Sequence, residues 1–169
     1  MMPFARDGAH VTARFTAGER ALLSSLALQL VVMLEERAAE SPADVLYAQL
    51  GMGGASAPPL DPALARLLPD AYRGDSEAAS EHRRFTELGL VDRKVANART
   101  VIAALDADAV ALDDGEVQAW LRHLTDLRLV LAARLQIEAD GDEGTGDEAL
   151  LGLYDWLGYL QGTLVECLP

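Results

Sequence analysis

Residues 113–135 read DDGEVQAWLRHLTDLRLVLAARL, and the spacing inside this stretch decides the fold class. Asp113 and Glu116 stand three positions apart, the spacing of a capping box, in which each side chain takes a backbone N–H of the first helical turn that has no partner inside the helix. Val117, Leu121, Leu124, Leu131 and Leu135 then step by three, four or seven residues, which predicts an amphipathic helix running to about Glu138. Arg128 falls within that stripe, so its guanidinium is expected to point toward a core or a partner chain.

The same reading extends in both directions. Thr16 and Glu19 form a second capping box, and Leu23, Leu26, Leu30, Met33 and Leu34 carry a helix to about Ala39. Ser41-Pro42 opens a short second helix through Val45, Leu46 and Leu50. Residues 51–59, GMGGASAPP, form a flexible linker; no Gly-Lys-Ser/Thr follows to make them a phosphate loop. Asp61-Pro62 starts another short helix that Pro69 closes. From residue 75 to about 106, Phe85, Leu88, Val91, Val95, Ala98, Ile102 and Leu105 mark one long helix with a candidate kink at Gly89. Beyond the acidic, glycine-rich residues 140–147, DGDEGTGD, a stripe of Leu150, Leu153, Leu157, Leu160, Leu164 and Leu168 gives a last helix. The one alternating run is residues 10–15, HVTARF, which predicts an edge strand, an arm paired with another subunit, or coil. The expected fold is therefore all-α: a single helical bundle of about six helices over residues 16–169, after an N-terminal extended arm or short strand at residues 1–15.

Composition limits the function. The 169 residues carry 14 basic and 27 acidic side chains, a formal net charge of −13, which opposes nucleic-acid binding and adhesion to an anionic membrane. The single cysteine, Cys167, has no intramolecular disulfide partner, so a reducing, cytoplasmic setting is expected. The first ten residues lack a secretory pattern, and the most apolar run, residues 21–34, is shorter than the roughly 20 residues of a membrane span, so it reads as a core helix. Lysine and asparagine occur once each against 29 alanines and 29 leucines, the bias of a GC-rich bacterial genome.

Four constellations bear on chemistry. Arg128 is expected to pair with Asp155 on the last helix, because a carboxylate satisfies a planar guanidinium; the competing reading is a ligand-binding arginine beside a small-molecule pocket. Tyr154, Trp156 and Tyr159 form a candidate partner surface, Trp and Tyr being frequent anchors of protein interfaces. Arg83, Arg84, Arg93, Lys94 and Arg99 make a candidate basic face on the long helix, diluted by Glu81, Glu87 and Asp92. The histidines, His10, His82 and His123, are scattered and read as solvated. No Glu-x-x-His or His-Glu-x-x-His spacing occurs, and DGDEGTGD lacks the ligands of a calcium loop and reads as a mobile acidic loop. No catalytic residue, metal or cofactor is assigned.

Residues 120–135, WLRHLTDLRLVLAARL, residues 154–165, YDWLGYLQGTLV, and residues 61–75, DPALARLLPDAYRGD, resemble an actinobacterial family known as a domain of unknown function. The resemblance covers about residues 10–169 and brings no catalytic residues with it. Members of that family are often encoded beside the adaptor that delivers N-degron substrates to the Clp protease, and some are labelled transcriptional regulators. The expectation is a non-enzymatic interaction or regulatory protein, linked through that resemblance to regulated protein turnover, with another protein or a second copy of itself as partner. A DNA-binding transcriptional regulator and a small-molecule binder near Arg128 are the alternatives.

Overall fold

A computed structural model of the chain describes residues 1–40, 54–139 and 141–169. The elements are β1 (Met2–Asp7), β2 (His10–Arg14), α1 (Ala17–Ala39), α2 (Pro62–Leu67), α3 (Ser76–Ala104), β3 (Ala109–Leu112), α4 (Asp114–Arg134) and α5 (Glu148–Val165). The helix expected at Ser41–Leu50 lies outside the described residues.

Each helix starts where a side chain takes a stranded first-turn N–H. Both predicted capping boxes form, Thr16 with Glu19 and Asp113 with Glu116. Asp61, Asp75 and Asp147 cap α2, α3 and α5. α4 is the central helix: it packs against α2, α3 and α5, while α1 packs chiefly on α3.

The all-α expectation is corrected by a three-stranded antiparallel sheet in the order β1-β2-β3. The run at residues 10–15 is its middle strand, pairing with β1 (Asp7 opposite His10) and β3 (Val11 opposite Leu112) inside one chain. Neither neighbour announces itself in sequence. β1 buries only Phe4 of its six residues, and β3 is four residues long with Val110 and Leu112 turned inward, so neither displays a sustained period of two. The sheet closes one end of the core through Phe4, Phe15 and Trp120, whose ring centroids lie 5.3–6.0 Å apart, with Trp120 fully buried.

Three further expectations change. α3 passes Gly89 without a break, and Phe85, assigned to its buried seam, is 45% exposed. The end of the supposed linker is anchored: Gly54 N–H donates to the Arg84 carbonyl, Ala55 is buried, and Ala57 accepts from Arg37 at 2.5 Å. A Cβ at Gly54 would meet the Arg83 carbonyl oxygen at 2.9 Å, so Gly54→Ala is expected to cost about 1–3 kcal/mol in urea denaturation; a loss under half a kcal/mol would mean the backbone there gives way freely. In the acidic segment, the Asp142 carboxylate accepts from the N–H groups of Glu138 and Ala139, which lowers its pKa, and Thr145 N–H donates to the Leu135 carbonyl at 2.7 Å. The described residues of this loop are therefore tied to the end of α4.

A buried ionic network joins α1, α3 and the segment before α3. Arg37 Nε donates to Glu87 Oε1 at 2.8 Å, and Arg83 donates to Glu87 Oε2, to Asp70 Oδ1 at 2.5 Å and to the Leu68 carbonyl at 3.2 Å. The side chains of Arg37, Arg83 and Glu87 are at most 6% exposed.

Candidate functional site

A groove of about 760 Å³ opens between α2, α3 and α4. Arg66, Arg93, Lys94 and Arg122 line it, with Leu67, Leu90 and Leu129 supplying apolar wall and Asp126 the one carboxylate. Helix geometry gathers them. Arg122 and Asp126 are four residues apart on α4, which puts them on one face, and the adjacent Arg93 and Lys94 of α3 come to the same groove because α3 packs alongside α4.

The charges in the groove are unequal. Lys94 Nζ donates to Asp126 Oδ1 at 2.6 Å, and both side chains are largely buried. Burial raises the Asp126 pKa, with Lys94 pulling it down, and Asp126 Oδ2 meets no partner among the described residues. Arg66 donates to the Ile137 carbonyl at 2.7 Å, an acceptor that leaves its charge uncancelled. Arg93 and Arg122 are exposed and make no ion pair or side-chain hydrogen bond among the described residues. Four cations thus face one buried carboxylate on a chain of net charge −13, an arrangement that binds negative charge.

One turn along α4 from Asp126, His123 is fully buried, and neither ring nitrogen meets a partner among the described residues. Burial alone depresses its pKa to about 4, so the imidazole is neutral near pH 7. This corrects its reading as a solvated histidine; His10 and His82 are exposed as expected.

The predicted Arg128–Asp155 pair does not form. Arg128 donates to Gln161 Oε1 at 3.0 Å and lies 4.6 Å from the centroid of the Tyr154 ring, while Asp155 is exposed. α5 presents Tyr154 and Gln161, seven residues apart, to this arginine, and Asp155 sits on another side of the helix. The large groove opens away from Arg128, toward α2 and α3. Of the aromatic residues, Tyr154 and Trp156 are half-buried against the main core and Tyr159 is 51% exposed.

The basic face is dispersed. Arg83 is inside the buried network, Arg99 pairs with Glu35 at 2.8 Å, and Arg84 is exposed away from the groove. Only Arg93 and Lys94 join the groove, where Arg66 and Arg122 complete it. Those two were missed because each lies on a helix other than α3. No group of three or more His, Cys, Asp or Glu with metal-site geometry occurs among the described residues.

Comparison with known proteins places the chain in a family. Residues 1–168 match the family described as Domain of unknown function (DUF2017), and the chain belongs to it. Relatives in Mycobacterium bovis and Mycobacterium tuberculosis, both named Oxidative stress regulator AosR, are each 32% identical over 180 residues, covering 95% of this chain and 83% of the relative. These relatives agree with the actinobacterial family expected from the sequence. No solved structure matches the chain.

Proposed function

We propose that this member of the DUF2017 family is a non-enzymatic regulatory protein that acts by holding an acidic segment of a partner protein in the groove between α2, α3 and α4. The observation that carries the reading is the charge of that groove, positive on a strongly acidic molecule. Arg93 and Arg122, which make no ion pair among the described residues, offer guanidinium groups to carboxylates, and the leucine wall favours a segment that alternates acidic with aliphatic residues. A rigid DNA duplex spreads its phosphates over a longer surface, where the net negative charge of the chain opposes it. The names of the mycobacterial relatives support a regulatory role and raise oxidative stress as its setting. Cys167 is the single cysteine and is buried, so the reading rests on the groove and not on a thiol pair. In its narrowest form the partner belongs to regulated protein turnover, and the setting is the cytoplasm.

Fluorescence anisotropy with a labelled peptide of alternating glutamate and leucine, beside a DNA duplex of matched charge, tests the proposal. Wild type is expected to bind the peptide and to lose affinity as salt rises. Arg93→Glu/Arg122→Glu is expected to weaken binding by about tenfold or more, since both residues are exposed and contribute through charge. Binding of the duplex in preference to the peptide would instead favour a DNA-binding regulator, and binding of neither would remove the groove from the account.

A further inference from the structure

α1 carries two seams. Leu23, Ala27, Leu30, Leu34 and Arg37 repeat at alternating steps of four and three, and all are buried. Ala21, Ser25, Leu28 and Val32 repeat at the same steps about half a turn away, and all are exposed, Leu28 and Val32 by 53% and 52%. No charged residue lies between Arg20 and Glu35. A helix at the surface of a domain needs one apolar face, and a second seam of coiled-coil spacing has a use only against another apolar surface. Residues 21–34 thus enter the core through one face, as expected of a core helix, and expose a second apolar seam on the other. By length and composition alone α1 is long and apolar enough to cross a membrane, and 28% of that window is buried.

We infer that the outer seam of α1 pairs with α1 of a second copy of this chain, antiparallel across a two-fold axis. Charge selects the occupant and its direction. At the C-terminal end of α1, Glu35 pairs with Arg99 and Glu40 with Arg37, and Glu36 makes no ion pair among the described residues, so a parallel pair would set two such carboxylates side by side in a chain already at −13. An antiparallel pair centred between Ser25 and Leu28 brings Glu36 to the first turn of the other helix. There the helix dipole and the exposed Arg14 favour negative charge, Arg20 being paired with Asp108 and Glu19 held in the capping box with Thr16. The same centring sets Ala21 opposite Val32 and Ser25 opposite Leu28, small against large, as interdigitating seams require. The seam from Ala21 to Val32 is about 17 Å long, too short alone for the roughly 800 Å² per partner of a standard interface, so the dimer is weak and depends on concentration.

Sedimentation equilibrium from low to high micromolar concentration reads this directly. Wild type is expected to pass from monomer to dimer, and Leu28→Glu or Val32→Glu to raise the dissociation constant by about tenfold or more with unchanged helical circular dichroism. Direction is read by mild oxidation: Ala21→Cys mixed with Val32→Cys gives a covalent dimer, and Ala21→Cys alone does not, wild type with its buried Cys167 being the control. A monomer at every concentration overturns the inference, as does cross-linking of Ala21→Cys to itself. Two further results also overturn it. One is binding to phosphatidylglycerol vesicles that Leu28→Glu abolishes in a protein that never dimerises. The other is a monomer unfolded by Leu28→Glu, which would mean that its own chain covers the seam.

Discussion

Glu87→Ala is expected to cost about 3–5 kcal/mol of folding stability, enough to halve or abolish the urea midpoint of a domain of ordinary stability. Among the described residues, Glu87 is the one carboxylate between two buried guanidinium groups: Oε1 accepts from Arg37, Oε2 from Arg83. Among the described residues, truncation leaves both cations inside with peripheral acceptors alone, Glu40 and the Ala57 carbonyl for Arg37, Asp70 and the Leu68 carbonyl for Arg83. The loss therefore reflects uncompensated charge more than the worth of the bonds. Glu87→Gln, which keeps an acceptor and removes the charge, is expected to fall between wild type and alanine. Replacing Glu87, Arg37 and Arg83 together by methionine is expected to cost less than Glu87→Ala alone, because no charge then stays buried. Exposed Glu81, six residues earlier on the same helix, is the control, with a change within about 0.5 kcal/mol on Glu81→Ala. Equal midpoints for Glu87→Ala and Glu81→Ala would show that water reaches the network and that it is not a buried charge cluster.

His123 is expected to make the fold acid-sensitive well above the range where carboxylates titrate. Its pKa is 6.5 when unfolded and about 4 when folded, so between those values the unfolded chain binds more protons. Stability is then full above pH 6.5 and falls as pH drops toward 4, by up to about 3 kcal/mol in total and about 2 kcal/mol by pH 5. Asp126, one turn away, acts with the opposite sign. Its raised folded pKa means the folded state takes up a proton before the unfolded one, which offsets part of that loss as pH falls. Glu19, Asp61 and Asp142 have lowered pKa values and remove stability only as pH falls through the carboxylate range. Between pH 6.5 and 5, His123 is therefore the group among these that removes stability. Urea midpoints at pH 7, 6 and 5 for wild type and His123→Leu measure it: wild type should decline and the variant stay nearly level. Parallel declines in the two proteins would place the proton uptake elsewhere.

Much of the chain's architecture is legible because it is local. A capping box spans three residues and a helical stripe repeats every three or four, so Thr16–Glu19, Asp113–Glu116 and the seams of α1, α3 and α4 are written within single segments. The site was legible only in part. Arg93 and Lys94 stood out as neighbours in a basic run, but the same run contains Arg83, whose charge is neutralised inside by Glu87 four residues on. Sequence shows that such a pair lies on one helix face, not whether that face is inside.

By itself, then, the sequence determined where the helices begin, which of their faces are apolar, the strong negative charge of the whole and the family to which it belongs. Tertiary structure decided what depends on residues distant in the chain. It brought three short strands into a sheet and gave Arg128 to Gln161 and Tyr154 in place of Asp155. It also buried His123 and set Arg66 and Arg122 beside Arg93 and Lys94. The physical reason is one of range. Backbone capping and side-chain periodicity act within a few residues, whereas desolvation and charge pairing are fixed by whichever element packs alongside.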